Sequence, residues 1–285
     1  MKNLDKDKIN QKLENFKGTQ RYDGFGKLSF TIILVQLETA SHAGSVARLI
    51  KNFDFKELVI FNPIASNKQI LNYETQGFAM HGKDILLNST IINVEDQQHH
   101  IHTLKEYLKQ FDLTIGTTAK GKHYTNLSRL SIFPDDFDLP RSQKSLNIAV
   151  LFGKESRGLT NEELDLIDIL LRIPASESYP TLNLSHAVGI ILYELYRKLH
   201  SIPLGRGENP VLLSDKEDRQ ILYQHIQELI RKIKIRNFRE KDTLQALKNI
   251  IERAMMTNRE LTLILGLFSK LNSLLKDVEL FDDEK

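Results

Sequence analysis

The segment LNIAVLFGKESRGLTNEE, residues 146–163, places an apolar run, a turn bracketed by two glycines and a helix start in direct succession. Residues 146–152 are almost all apolar, which is typical of a strand buried on both faces. Thr160, followed by acidic residues, predicts the cap and first turn of a helix. Because a buried strand that leads into a helix is the repeating unit of parallel sheets, the segment predicts an α/β fold.

Similar units occur on both sides of this segment. Short apolar runs predict strands, and apolar residues at helical spacing between them predict helices. The predicted strands are 29–37, 57–61, 90–92, 113–115, 146–152 and 168–174, and the predicted helices cover 43–53, 70–80, 97–111, a turn from 160 and 183–200. This alternation predicts a doubly wound parallel sheet over residues 28–200.

Three further segments flank this sheet domain. Residues 1–27 are rich in charge and glycine, which predicts a flexible leader with room for a short helix at 4–16. Residues 201–214 contain two prolines and two glycines, which predict a linker. Residues 215–285 carry apolar side chains at three- and four-residue spacing and predict a small helical appendage of two or three helices.

The composition excludes several classes of protein. The chain has 285 residues and a net charge of +2, so any basic surface must be local. It contains no cysteine, which excludes disulfides, thiolate metal sites and a cysteine nucleophile. No apolar stretch is long enough to span a membrane, and the first residues lack the apolar core of a secretory signal. We therefore expect a cytoplasmic protein.

Four short segments stand where strands meet loops or helices, and ligand sites of such sheets cluster there. They are GSVAR (44–48), GTTA (116–119), FGKESRGL (152–159) and the stretch from Ile173 to Asn183. Small residues allow the backbone to approach a ligand, and an arginine can hold phosphate. Each segment also has an ordinary structural interpretation: Arg48 as a surface arginine, 116–119 as a strand end, and Asn183 as a helix cap.

Taken together, in this order and spacing, the segments resemble the SPOUT class of methyltransferases, and within it the TrmH/TrmJ-type tRNA ribose 2′-O-methyltransferases. The likeness covers GSVAR with the following LIKNFDF, then GTTAK, FGKESRGLT and IPASESYPTLNLSHAVGIILYEL, over residues 30–200. The stretch from Lys234 to Phe268 is similar to the helical tail of TrmJ-type enzymes. The resemblance implies a trefoil knot at the carboxyl end of the sheet and a homodimer in which both subunits shape the active site.

The resemblance also implies a binding site for S-adenosylmethionine without a metal. Arg48, Glu155 and Asn183 are implied as catalytic residues, with Arg48 holding the phosphate beside the target ribose. Eight residues are implied to bind the cofactor: Thr117, Thr118, Ala119, Gly153, Ile173, Pro180, Thr181 and Leu182.

The chain departs from the family pattern at two positions. Thr181 stands where the family has serine and keeps the hydroxyl group. His42 stands six residues before Arg48, where the family has asparagine. A histidine there could serve as a catalytic base, since its charge changes near neutral pH. We interpret His42 instead as a histidine of a surface loop.

A basic stretch in the appendage is a candidate RNA-binding surface. RKIKIRNFREK, residues 231–241, has six Lys or Arg and one Glu. Its cations suit phosphate, and its aromatic ring could stack on a base, although such runs are usually solvated helix ends. The predicted RNA-binding residues are Arg231, Lys232, Lys234, Arg236, Phe238 and Arg239.

We therefore predict an S-adenosylmethionine-dependent RNA methyltransferase acting on a ribose 2′-hydroxyl of tRNA. The resemblance points to a cytidine or uridine at position 32 of the anticodon loop. Two alternatives remain open at this point: an RNA-binding protein that has kept the fold and lost catalysis, and an enzyme that acts on ribosomal RNA or on a base. A nucleotide-binding protein of another class is disfavoured, because the chain contains neither G-x-G-x-x-G nor G-x-x-x-x-G-K-[ST].

Overall fold

The computed structural model describes residues 6–119, 131–142, 144–206, 209–233 and 237–276. The main sheet has seven strands: β1 (Leu28–Val35), β2 (Glu57–Phe61), β3 (Thr90–Ile92), β4 (Leu113–Thr118), β5 (Ser131–Ile132), β6 (Leu146–Phe152) and β7 (Ile169–Arg172). The helices are α1 (Lys6–Glu14), α2 (Ala40–Asn52), α3 (Asn67–Ile70), α4 (Tyr73–Ala79), α5 (Lys83–Leu87), α6 (His100–Leu108), α7 (Asn161–Leu164), α8 (Leu184–Leu199), α9 (Lys216–Lys232), α10 (Asn237–Arg253) and α11 (Asn258–Leu274). Short 3₁₀ helices occur at Asp23–Phe25, Met80–Gly82 and Gln97–His99, and two-residue strands at Gln20–Arg21, His200–Ser201, Gly205–Arg206 and Asn209–Pro210.

The seven strands form one sheet in the order β3-β2-β1-β6-β4-β7-β5. Every neighbouring pair in it is parallel. Strands β1 and β6 are adjacent at the centre, with Leu28 opposite Leu146 and Leu34 opposite Phe152. The predicted parallel α/β fold is thus confirmed, and the apolar run 146–152 forms one of its central strands.

Both faces of the sheet are buried because successive side chains of a strand point to opposite faces. On β1, Ile32 and Leu34 belong to the apolar cluster that includes α2 and α8. Ile33 and Val35 belong to a second cluster, which includes α6 and α7. The uninterrupted apolar run of β1 therefore follows from burial on both sides.

Helix α2 begins earlier than its sequence pattern indicates. The prediction that Gly44 lies at a loop-to-helix transition is wrong, because α2 starts at Ala40 and contains the whole GSVAR segment. Gly44 is buried, and a β-carbon there would overlap the carbonyl oxygen of Thr75 on α4. This glycine permits two helices to pack closely and has no ligand-facing role.

The predicted helix at 70–80 is two helices. Ser66 and Gln69 form a reciprocal capping box on α3. The side chain of Asn72 then accepts a hydrogen bond from the backbone N–H of Thr75 and starts α4. Two closely spaced caps thus divide a segment that apolar spacing alone assigns to one helix.

The chain divides into two compact units, Arg21–Ser201 and a unit made of Met1–Gln20 with Ile202–Lys285. In the second unit, α9 and α11 share a core that includes Leu222, Ile226 and Leu261. Helix α1, within the predicted leader, belongs to this unit, and Lys8 lies 2.6 Å from Asp215 at the start of α9. Among the described helices, none has the length and apolar character needed to cross a membrane.

Candidate active site

A cavity of about 430 Å³ lies where β4, β6 and β7 end. Three chain segments line it: the end of β4, the turn between β6 and α7, and the loop between β7 and α8. All eight residues predicted to bind the cofactor are among its lining: Thr117, Thr118, Ala119, Gly153, Ile173, Pro180, Thr181 and Leu182. Since the carboxyl ends of parallel strands meet at one edge, segments distant in sequence converge here.

The turn after β6 depends on its two glycines. Gly158 has a φ of +70°, in the left-handed region that glycine adopts without strain. Its N–H donates to the carbonyl of Lys154 at 2.7 Å and closes the turn. A β-carbon on Gly153 would overlap the backbone of Gly158 and Leu159. The glycines thus fold residues 154–157 into a tight turn at the cavity wall.

Glu155, in this turn, binds the loop that follows β1. Its carboxylate accepts hydrogen bonds from the backbone N–H groups of Glu38 at 2.9 Å and Thr39 at 3.0 Å. Glu38 returns the interaction, since its carboxylate accepts from the N–H of Ser156 at 2.9 Å and from the hydroxyl at 2.7 Å. Two glutamates therefore connect the two loops in both directions.

His42 lies between two of the predicted catalytic residues. Its Nδ1 is 2.8 Å from Oε1 of Glu155, and its Nε2 is 3.1 Å from Nδ2 of Asn183. The other amide atom of Asn183, Oδ1, accepts from the N–H of Ser185 at 2.9 Å and caps α8. The interpretation of His42 as a surface-loop histidine is wrong, because it lies in the first turn of α2 with only 19% of its side chain exposed.

The environment of Glu155 favours its ionised form. Burial by itself raises the pKa of the Glu155 carboxyl, but the hydrogen bonds from His42 and from the backbone of Glu38 and Thr39 outweigh burial and hold the pKa below its ordinary value. The carboxylate is therefore charged at neutral pH and fixed in position by three donors.

Known proteins with similar sequences identify the family of this chain. Residues 29–193 match the profile of the SpoU rRNA Methylase family. The tRNA (cytidine-2'-O-)-methyltransferase TrmJ of Methanocaldococcus jannaschii is 32% identical over 245 residues, which are 85% of this chain and 99% of that protein.

The chain belongs to the SpoU rRNA Methylase family.

Two further comparisons agree with this family assignment. The tRNA (cytidine/uridine-2'-O-)-methyltransferase TrmJ of Pectobacterium atrosepticum is 29% identical, over 84% of this chain and 94% of that protein. The crystal structure of TrmJ from Z. mobilis ZM4 superimposes with a TM-score of 0.51 and 17% identity, covering 85% of this chain and 98% of that one. The resemblance drawn from the sequence motifs is confirmed at the level of the SpoU family.

Arg48 is placed differently from the other predicted catalytic residues. It lies on α2, six residues after His42 or about 9 Å further along the helix axis, and its side chain is exposed. It does not line the cavity, whereas Glu155 does, and Asn183 lies between two lining residues, Leu182 and Leu184. Within one subunit of this SpoU protein, the structure joins Glu155 and Asn183 through His42 and leaves Arg48 outside the group.

The residues predicted to bind RNA are only partly described. Arg231 is exposed on the last turn of α9, and Arg239 is exposed on α10. Lys232 is already engaged, since it donates to the carbonyl of Asn272 at 2.8 Å and lies 2.9 Å from Glu228. Lys234 and Arg236 lie outside the described residues. Phe238 belongs to the first turn of α10, and its side chain lies outside the described part of the structure.

Sequence patterns missed Glu38 and Ser156, and they assigned His42 the wrong setting. No motif around Glu38 marks it, because its partner Ser156 is 118 positions away along the chain. The available signal was positional: both residues follow central strands, and adjacent parallel strands bring their following loops together.

Proposed function

We propose that this SpoU-family protein is an S-adenosylmethionine-dependent methyltransferase that modifies a ribose 2′-hydroxyl of tRNA. The observation that carries the proposal is the single cavity that all eight residues implied by the motif resemblance line together. The names of the M. jannaschii and P. atrosepticum relatives support ribose methylation of tRNA as the reaction.

The chemistry of the cavity fits S-adenosylmethionine. Its volume of about 430 Å³ falls in the range of small-molecule sites. The hydroxyls of Thr117, Thr118 and Thr181 and the backbone of the 153–158 turn offer hydrogen bonds for a ribose and an amino-acid group. Ile173 and Leu182 offer an apolar surface for adenine. The methyl donor supplies an electrophilic methyl group on a sulfonium, so no metal is part of the proposal.

Arg48 is proposed as a clamp for the phosphate next to the target ribose. A guanidinium is effectively always protonated, which suits it to hold phosphate and not to remove a proton. Its exposure leaves it accessible to RNA or to the cavity of a second subunit. The proposal therefore includes a homodimer with composite active sites, and α8 carries exposed apolar side chains, Ile190 and Tyr193, that such contact would cover. The trefoil knot implied by the resemblance is also part of the proposal.

The proposed substrate is a tRNA with a pyrimidine at position 32. The relatives' names specify cytidine, or cytidine and uridine, and the position rests on the motif resemblance alone. The basic stretch 231–241 is proposed to contact the RNA phosphates. We assign this activity to a cytoplasmic enzyme.

The test uses methyl transfer followed by identification of the product. The full-length protein is incubated with tritiated S-adenosylmethionine and either bulk tRNA or ribosomal RNA, and the labelled RNA is digested and analysed by mass spectrometry. We expect 2′-O-methylcytidine or 2′-O-methyluridine from tRNA only. Label in ribosomal RNA or on a base would contradict the substrate, and donor binding without any transfer would favour an inactive RNA-binding protein.

Mapping of 2′-O-methyl sites in tRNA from cells with and without the gene then tests the position. Loss of a methyl group at position 32 is expected. Loss at another nucleotide would retain the reaction and reject the site.

A further inference from the structure

The hydrogen bonds around His42 determine which of its nitrogens carries a proton. Oδ1 of Asn183 accepts from both the N–H and the hydroxyl of Ser185, at 2.9 and 2.7 Å, so the Nδ2 donor must face His42. Nε2 of His42 must then be an acceptor. Nδ1 therefore carries the proton and donates it to Glu155 at 2.8 Å. The network is fully satisfied only by the neutral Nδ1–H tautomer.

This arrangement backs an imidazole with a fixed carboxylate. A carboxylate bonded to Nδ1–H holds the ring in one orientation and stabilises the imidazolium that forms when Nε2 takes a proton. Glu155 is suited to this task because two backbone N–H groups hold its oxygens independently of His42. The unprotonated Nε2 is thus a basic atom at the edge of the site.

Nε2 also lies next to the cavity. Its partner Asn183 sits between Leu182 and Leu184, which both line the cavity, and Glu155 on the other side of the ring lines it too. Asn183 fills the Nε2 lone pair with one N–H donor. A hydroxyl group entering from the cavity presents the same kind of donor and can take its place.

We propose that His42 is the general base of the reaction, and that its Nε2 accepts the proton of the ribose hydroxyl that is methylated. This inference rests on the proposed function. As the oxygen–methyl bond forms and the sulfur–methyl bond of the donor breaks, the hydroxyl proton passes to Nε2, and water receives it before the next turnover. Arg48 cannot fill this role, since a guanidinium does not give up its proton in proteins.

The charged groups near His42 support a single ionisation. Glu155, from the turn after β6, is the charged group in contact with the ring. Glu38, on the loop before α2, is engaged with Ser156. The contacts from α8 come from Asn183, whose amide is neutral, and through it from Ser185.

The kinetic test compares His42→Asn with the wild-type full-length protein. Asparagine can hydrogen-bond to the same neighbours but cannot accept the proton. We expect kcat to fall at least about 100-fold, the lower range for loss of a general base, with the KM for the methyl donor nearly unchanged. The wild-type rate should rise with pH between about 5 and 8, and this rise should be absent in the variant. His102→Asn, on the exposed side of α6, is the control and should keep both rate and profile.

A second measurement does not depend on activity. In ¹⁵N-histidine-labelled protein, the ring nitrogens of His42, assigned by their loss in His42→Asn, should show the Nδ1–H tautomer at neutral pH. An Nε2–H tautomer, or a His42→Asn variant with the wild-type rate and pH profile, would overturn the proposal, since either result leaves His42 with at most a positioning role. If the wild-type protein shows no binding of S-adenosylmethionine by calorimetry, the proposed function fails as well, and the two failures are thereby distinguished.

Discussion

At the scale of single residues, the site depends on side chains that orient one another. Glu155 is held by three donors, His42 is held by Glu155 and Asn183, and Asn183 is held by Ser185. Each group has its hydrogen-bonding capacity assigned by its neighbour, so the arrangement is already formed before RNA arrives. Preorganised groups lower a barrier most because they need no rearrangement during the reaction.

Replacement of Arg48 by alanine should abolish turnover and leave donor binding intact. Arg48 does not line the cavity, so its loss removes the proposed phosphate clamp without altering the cavity wall. Methyl transfer to tRNA and calorimetry with S-adenosylmethionine measure the two effects separately. Arg197→Ala, an exposed arginine on α8, is the matched control. Near-normal turnover by Arg48→Ala would reject the clamp.

At the scale of elements, close helix contacts and buried polar bridges hold the loops of the site in place. Helix α2 carries His42 and Arg48 and packs against α4 through Gly44. On the other face of the sheet, His100 of α6 lies 2.8 Å from Glu163 of α7, and Asn62 at the end of β2 lies 2.9 Å from the other ring nitrogen. This buried bridge anchors the short helix that follows the Glu155 turn.

Gly44→Ala should destabilise the protein by about 1–3 kcal/mol, the usual cost of overpacking. The new β-carbon would meet the Thr75 carbonyl, which is backbone and cannot rotate away. Gly77→Ala is a matched control on α4, because no atom lies within 4 Å of the added carbon. That control should be neutral or stabilising by up to about 1 kcal/mol, since alanine favours helices. Denaturant unfolding compares the two, and equal stabilities would contradict the packing role of Gly44.

Glu163→Gln should lower the free energy of unfolding at pH 7 by about 1.5–3 kcal/mol, the range for hydrogen bonds to a charged group. Burial raises the pKa of Glu163, but hydrogen bonds from His100 and Thr160 outweigh it and hold the pKa below 4.5. Because the folded pKa is the lower one, the contribution is complete above 4.5 and is lost as the pH falls through the folded value.

The pH dependence of unfolding separates this effect from a general loss of stability. The curves of Glu163→Gln and the wild type should converge in acid, whereas Glu162→Gln, exposed on the same short helix, should follow the wild type throughout. A constant gap between wild type and Glu163→Gln at all pH values would show that the ionised carboxylate is not the stabilising species.

At the scale of the whole molecule, the chain combines an α/β unit that contains the cavity with a helical unit that contains the basic stretch. The net charge of +2 gives no overall attraction for RNA. Binding must therefore come from local cations, and the binding of such cations to phosphates depends strongly on salt.

The affinity for tRNA should fall steeply with salt, and Arg231→Ala with Arg239→Ala should reduce the slope of log K against log salt by about 1 for each phosphate that is no longer neutralised. Both side chains are exposed in the helical unit. Filter binding over a range of salt concentrations measures the slope. Lys109→Ala, which removes an exposed cation paired with Glu106 on α6, serves as control and should leave the slope unchanged. An unaltered slope in the double variant would exclude these residues from the RNA interface.

The local structure and the family of this protein follow from its amino-acid sequence alone. The apolar runs of β2 and β6 predicted their strands to the residue, Thr160 and Asn183 predicted their helix caps, and the motif order predicted the SpoU family. Local propensity, burial periodicity and capping act over a few neighbouring residues, so they can be recognised in the sequence.

The partners of these residues, in contrast, depend on the folded arrangement of the whole chain. Glu155 reaches His42 across 113 positions, and His42 reaches Asn183 across 141. Gly44, which as sequence suggests a ligand loop, instead accommodates a neighbouring helix. Such interactions depend on strand order and on the way helices cover the sheet, which are set by packing of the whole unit. The roles of His42 and Gly44 therefore became visible only when the chain was folded.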